Sequence, residues 1–323
     1  MIGLPWLREG IAQWNEFVLL DRVPHAVLLS GSNGLGKLAL ARNMAHMALC
    51  ENLSDSGPCK ECSACHLFTA NNHPDFTMVS AEKSIIKVDQ IRKLTQKIIL
   101  SSTKGLFRVI IVENAEQMNK AAANALLKTL EEPPEKVVII LTTSEVGSLL
   151  PTIKSRCVKI NVPIPAYNDA YEWLKNNSQS SSSEEIKLSL SLTNGAPITA
   201  LTILDNELLL QVKTMISDLK DLVNHQKTIL EITKRWNTEE LYVHFSMLAS
   251  YFLMIIKQNN KLNFENSASQ TDIGLAHVSH LDDKLLVFVK SLYLFIHRTD
   301  TPLKKELLID ELLINWKSNF QKS

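Results

Sequence analysis

Apolar residues in the first half of the chain gather into five short runs: Val27–Ser30, Phe76–Ser80, Phe107–Val112, Val137–Thr142 and Val158–Val162. Helical spacing separates them, and each run is apolar on both faces. That pattern predicts central strands of a parallel sheet covered by helices, because a strand with one wet face alternates polar and apolar positions. After Pro197 the pattern changes. Only Gly274 and Pro302 remain as breakers, so the last third is expected to be almost wholly helical. Amphipathic stretches there include Leu241–Lys257 and Leu281–Arg298, separated by a polar loop over Asn259–Asp272. The apolar face Val243, Met247, Tyr251 and Met254 reads either as core or as a partner-binding stripe.

Between the halves, Pro163-Ile164-Pro165 marks a composition break, followed by short helices. The run Asn176–Ser183 reads as a flexible connector whose last serine caps a helix beginning Glu184-Glu185. Gly195 ends that helix and Pro197 opens the next.

A chain of 323 residues, 45% of them hydrophobic, has room for two or three ordinary domains. Basic and acidic side chains balance at 34 each, so no overall field drives nucleic-acid binding, and any DNA contact is local or shared with partners. Met1–Trp14 lacks the basic segment and long apolar run of a signal peptide. Leu241–Ile256, with His244 and two serines, falls short of the roughly 20 apolar residues of a membrane span. A soluble, cytoplasmic protein with no membrane partner is expected.

The candidate chemistry begins after the first strand. Gly31-Ser-Asn-Gly34-Leu-Gly36-Lys37 fits a phosphate-cradling loop, in which glycines let backbone N–H groups turn toward phosphate oxygens and the lysine reaches the outer phosphates. The bland alternative is a glycine turn between a buried strand and a helix. The next position, Leu38, offers no oxygen to Mg²⁺. A second nucleotide motif, a strand ending in two acids, corresponds to Arg108–Val112 followed by Glu113 and Asn114. An amide at Asn114 cannot accept a proton from water, so ATP binding stays open and turnover is not expected. Thr142 or Thr143, the latter preferred, stands where a polar residue inspects a γ-phosphate, or else caps a strand end. Ser155-Arg156-Cys157 precedes the last strand, and Arg156 has no acidic neighbour in sequence. It reads as a solvated arginine or as an arginine finger serving a neighbouring subunit.

Four of the five cysteines, Cys50, Cys59, Cys62 and Cys65, lie within sixteen residues. Two-residue gaps let neighbouring thiolates face one ion, and four thiolates make a closed structural zinc site. An iron–sulfur run is the alternative, but its last cysteine follows three residues and precedes proline, whereas His66-Leu67-Phe68 follows here. His66 or His73 could replace one thiolate.

Taken together, His25 before the first strand, the cysteine insert, Asn124-Ala-Leu-Leu-Lys-Thr-Leu-Glu-Glu-Pro-Pro134 and Ser155-Arg156-Cys157 closely resemble the bacterial clamp-loader subunits of DNA polymerase III, members of the AAA+ group. The cysteine module narrows the resemblance to the delta-prime or gamma/tau type. Gamma/tau subunits keep Gly-Lys-Ser/Thr, an Asp-Glu pair and a sensor arginine after Gly-Ala-Pro, where this chain has Leu38, Glu113, Asn114 and Ile198, so the resemblance falls to the delta-prime type. It implies an α/β P-loop (AAA+) domain with a five-stranded parallel sheet over 1–163 and a zinc module at about 50–66. A helical lid over 164–206 and an all-helical collar over 207–323 follow. It also implies gamma/tau and delta partners in a hetero-pentameric ring, action on the sliding clamp and primer-template DNA through that complex, and Arg156 completing a neighbour's ATPase site. A catalytically active, gamma/tau-like ATPase is the competing reading, and a zinc-dependent DNA-binding protein a third.

Overall fold

The computed structural model describes residues 3–82, 84–99, 107–178, 182–206, 208–260, 280–297 and 304–320. The chain forms two compact units, Met1–Asp169 and Ala170–Ser323. In the first, a 3-10 turn (Pro5–Leu7) and α1 (Arg8–Leu19) precede β1 (Ala26–Ser30), α2 (Lys37–Leu49) and α3 (Ser63–Thr69). Then come β2 (Phe76–Val79), α4 (Val88–Ile99), β3 (Arg108–Val112), α5 (Lys120–Glu131), β4 (Val137–Thr143), α6 (Pro151–Lys154) and β5 (Val158–Asn161).

All five expected strands are present, paired in parallel in the order β2-β3-β4-β1-β5. β1, β3 and β4 are buried almost throughout, as a sheet covered on both faces requires. The expectation that every run is central fails at the rims: β5 is an edge strand with Val158 45% exposed, because only one side of it has a neighbour to pack against. Register aligns the strand ends. Ser30 pairs with Thr143 on one side and Asn161 on the other, and Val112 pairs with Leu141. β1 therefore lies between two strands that are not its neighbours in sequence, which opens a crevice at the carboxyl ends of the strands.

α1, which the sequence pattern did not single out, locks onto this sheet unit. Trp14 is fully buried and its Nε1 donates to the Met44 carbonyl at 2.9 Å. Asn15 Nδ2 donates to the Ser54 carbonyl at 3.1 Å, tying α1 to the cysteine insert. At the opposite face, Arg108 forms a buried ion pair with Asp75 at 3.0 Å and donates to the Lys97 carbonyl, so the cation that starts β3 is fully answered.

The second unit contains α7 (Tyr167–Asn177, whose first turn belongs to the first unit), α8 (Ser183–Leu192), α9 (Pro197–Asp205), α10 (Leu208–Val223), α11 (Ile229–Trp236), α12 (Leu241–Asn259), α13 (Leu281–His297) and α14 (Lys305–Phe320). Two caps explain two of its boundaries. Ser182, one residue before the expected serine, caps α8 through a capping box with Glu185. Ser183 could not do so, because Ile186 stands three residues on. Thr228 and Glu231 repeat the device at α11. The connector is also shorter than expected, since α7 runs to Asn177; residues 179–181 and most of the expected 259–272 loop lie outside the described residues.

Leu192 of α8 and Ile203 of α9 join one core with residues of α10 to α14. Residues on both sides of the expected lid–collar boundary at 206/207 therefore lie in one hydrophobic cluster. Trp316 stacks on Phe320 at 4.0 Å between ring centroids and meets Phe288 at 4.6 Å. Met247, Tyr251 and Met254 are buried in this core while Val243 is 49% exposed, so the apolar face on α12 is core at three of its four positions. Among the described residues no helix is long and apolar enough to cross a membrane.

A buried carboxylate fastens α10 to α11. Asp218 is fully buried, accepts from Trp236 Nε1 at 3.0 Å and pairs with Lys227 at 2.9 Å and Arg235 at 2.7 Å. Replacing it with alanine leaves a buried indole N–H without an acceptor, while both cations still reach water. Asp218→Ala should therefore destabilise the second unit by about 3 kcal/mol, read as a lower urea midpoint in tryptophan fluorescence. An unchanged midpoint would show that this network contributes nothing to stability.

Candidate functional site

The glycine loop leaves β1 in the form its sequence requires. At Gly31 (φ 150) a Cβ would sit 2.6 Å from the Val162 carbonyl oxygen, so no larger residue passes beneath the end of β5. Gly36, in the left-handed region at φ 87, is the N-cap of α2, a conformation that glycine adopts without steric cost. Trp6 Nε1 donates to the Leu35 carbonyl at 2.8 Å, pinning the loop from the N-terminal side. Lys37 opens α2 and is buried; its Nζ donates to the carbonyls of Gly31 and Ser32, both at 2.8 Å. Burial lowers the Lys37 ammonium from its ordinary range, and the Glu116 carboxylate opposes that shift. Leu38 stands partly exposed in the first turn of α2, presenting carbon where a metal-binding hydroxyl would be placed.

The ends of β3 and β4 lie across from this loop. Asn114 takes a left-handed conformation (φ 49, ψ 62), and its N–H donates to Thr142 Oγ1 at 3.0 Å. Thr143 is fully buried, with its Oγ1 accepting from the Glu145 N–H at 3.1 Å. The Thr142 hydroxyl thus supports the end of β3, while that of Thr143 supports the end of β4 and also reaches Glu116. The residue of this run that borders open space is Ser144, in a polar groove of about 490 Å³ shared with Asn33, Asn114, Glu116, Gln117 and Glu145. Glu113 is half-buried, and its N–H donates to the Val79 carbonyl.

Glu116, two residues beyond Asn114, is a site residue that the sequence pattern did not single out. In the fold, its Oε1 accepts from Ser144 Oγ at 2.7 Å and from the Ser144 N–H at 3.1 Å. Burial pushes its carboxyl up, but hydrogen bonds from Ser144, its own backbone N–H and Thr143 outweigh that and hold it below the usual range. It therefore stays ionised near Lys37.

The four clustered cysteines converge on one point. Their Sγ atoms all lie within 4.8 Å of one another, with Cys50 and Cys59 at 3.6 Å and Cys59 and Cys65 at 3.9 Å. These separations are far too long for disulfides and match the edge of about 3.8 Å that a tetrahedron of sulfurs 2.3 Å from a metal would have. Backbone N–H groups of Cys59, Cys62 and Cys65 point at the sulfurs of Cys50, Cys59 and Cys62 at 3.3, 3.3 and 3.4 Å, stabilising thiolates. N–H groups of Glu61 and Cys62 draw the Cys59 thiol down to about 6, whereas burial pushes Cys50 and Cys65 up. Such crowded sulfurs favour a divalent cation, and the set fits a structural metal site consistent with zinc. Neither His66 nor His73 joins it: His66 is exposed, and His73 Nδ1 accepts from the Asp75 N–H. Cys157 is buried elsewhere, and burial pushes its thiol up to about 11.

Arg156 is less free than its sequence neighbours indicate. Folding brings Glu131, the last residue of α5, to 2.8 Å from its Nη2, and Nη1 donates to the Thr152 carbonyl at 3.0 Å. A carboxylate at a helix C-terminus, where the macrodipole disfavours it, was the available sign that a cation would be found there.

Comparison with known proteins gives a consistent picture. The family described as "DNA polymerase III, delta subunit" matches residues 7–165. DNA polymerase III subunit delta' of Pseudomonas aeruginosa is 32% identical, covering 97% of each chain. The subunit delta' of Haemophilus influenzae is 32% identical over 84% of this chain and 81% of its own. Among solved structures, a gamma-subunit-related protein of DNA polymerase III from Thermotoga maritima covers 96% of this chain and 100% of its own with a TM-score of 0.52 and 20% identity, a likeness of fold.

The cysteine geometry leads to a direct expectation: purified protein carries about one zinc per chain. Zinc–thiolate binding is worth of order 10 kcal/mol apparent in small zinc peptides, so Cys62→Ser should lose the metal and expose the insert to protease before the sheet unfolds. Elemental analysis of the unsubstituted protein that finds no metal, or iron with sulfide, rejects the zinc site.

Proposed function

The chain belongs to the DNA polymerase III delta-prime family, and from that premise we propose that it serves the clamp loader as a subunit that does not itself turn over ATP. The observation that carries this reading is the contrast within the glycine loop: backbone geometry and Lys37 are kept, while Leu38 provides no metal ligand. Asn114 adds a second loss, since its amide cannot activate water. Gly31, Gly34, Gly36, Lys37, Leu38, Glu113, Asn114 and Thr143 then make up a degenerate nucleotide site, in which ATP binding without turnover is compatible with the loop.

In this reading the chain joins gamma/tau and delta subunits in a hetero-pentameric ring in the cytoplasm. The ring places the sliding clamp on primer-template DNA, and the 164–206 and 207–323 segments act as lid and collar. Structural zinc on Cys50, Cys59, Cys62 and Cys65 stabilises the insert. Arg156 is the residue that acts on chemistry, meeting the γ-phosphate of ATP on an adjacent subunit, where a planar cation stabilises charge spread over the transferring oxygens. A second reading, an active gamma/tau-like ATPase, is favoured by the intact loop conformation and by Lys37.

Two measurements separate these readings. The isolated chain should show no ATP turnover above background; turnover approaching the ordinary enzyme scale of roughly 1 per second, abolished by Lys37→Ala, would establish the active enzyme instead. In a reconstituted complex, Arg156→Ala should reduce turnover at the facing site by roughly 10³ to 10⁵. Total clamp- and DNA-stimulated ATPase then falls by a fraction and clamp loading falls much further. Wild-type rates in both assays would refute the trans-acting arginine.

A further inference from the structure

Three acceptors hold the Arg156 guanidinium. Glu131 Oε1 lies 2.8 Å from Nη2, the Thr152 carbonyl accepts from Nη1 at 3.0 Å, and Ser155 Oγ lies 3.4 Å away. Thr152 and Ser155 are local and both hold Nη1, whereas Glu131 holds the other fork nitrogen, Nη2. Glu131 is the distant anchor, brought up from the end of α5. The arginine side chain remains 33% exposed, so the ion pair leaves part of the cation facing solvent. The carboxylate also sits where the α5 carbonyls already concentrate negative charge, so the pair answers an electrostatic need on both sides.

We infer that Glu131 is a positioning residue for Arg156. It fixes the orientation of the guanidinium so that the cation meets a neighbour's ATP already ordered. The inference rests on the trans-acting reading of Arg156. An arginine has several rotatable bonds, and with Nη1 alone held its planar fork can still swing about that contact; a second anchor on Nη2 sets the donors beforehand, and donors so set need no reorganisation during the reaction. Glu131 touches no phosphate in this arrangement and acts through Arg156 alone.

The test uses complete clamp-loader complexes reconstituted with Glu131→Ala, Glu131→Gln, Arg156→Ala or the double variant Glu131→Ala/Arg156→Ala. Stimulated ATPase is resolved into kcat and KM, clamp loading is timed, and assembly is checked by gel filtration. Misplacement of a positioned group by about an ångström can lower rates by up to ~100-fold, so Glu131→Ala is expected to slow clamp loading about tenfold, less than Arg156→Ala does, through kcat and with KM for ATP unchanged. Glu131→Gln, which keeps an acceptor oxygen at that place, should recover most of the rate. Adding Glu131→Ala to Arg156→Ala should cause no further loss, because two residues acting through one group are not additive. Wild-type or faster rates with Glu131→Ala overturn the inference, the faster case marking a contact that restrains the arginine. Further loss in the double variant, or failure of both Glu131 variants to assemble, also overturns it in favour of a structural role. If Arg156→Ala itself leaves rates unchanged, the trans-acting reading falls and this inference with it; if only Glu131→Ala is silent, the positioning role alone falls.

Discussion

The position of β1 governs the rest of the first unit. It is hydrogen-bonded on both sides by strands that come much later in sequence, so the chain leaving it must turn at once to avoid the end of β5. The 2.6 Å that a Cβ at Gly31 would leave to the Val162 oxygen makes glycine a steric requirement there, whether or not phosphate ever enters the loop. Register then places the ends of β3 and β4 opposite that turn, which brings Asn114, Glu116 and Ser144 to one rim. The groove at that rim follows from strand order, and its chemistry from the few side chains standing there.

Strands were legible in the sequence because they are local, while the cap of α8 fell one residue before its expected place. Apolar runs located all five strands, and Gly195 and Pro197 marked the turn between α8 and α9. The edge character of β5 was hidden, because exposure at a rim depends on which strands pair, and spacing along one strand does not encode that. α1 escaped notice because its anchoring depends on Trp14 and Asn15 reaching backbone carbonyls 30 and 39 residues away. The shared core of the second unit was hidden for a related reason: Leu192 and Ile203 look like ordinary short-helix residues until α10 and α12 pack on them.

The site divides in the same way. Cysteine spacing indicated the metal cluster, since gaps of two residues nearly determine where the sulfurs meet. Glycine spacing likewise indicated the loop. What the residues do with one another was not legible: Thr143 and Ser144 both hydrogen-bond Glu116, Ser144 borders the open groove, and Glu116 becomes a held anion beside Lys37. Arg156 looked unpaired only because its carboxylate partner lies on an earlier helix. In each case the missing information is a contact between distant segments.

One helix joins the two chemical features of this unit. α2 begins at Lys37 and is capped by Cys50 across 13 residues, a rod of about 20 Å at the ordinary helical rise. The glycine loop is attached to one end of this strut and Cys50 of the cysteine cluster to the other, with Leu40, Ala41, Met44 and Ala45 buried between them. A clamp at the cysteine end takes sideways play out of the whole strut and so sets the tilt at which the loop meets the sheet. The setting of the glycine loop and the packing of the cysteine cluster are thus linked mechanically through one helix, whichever side chain stands at position 38.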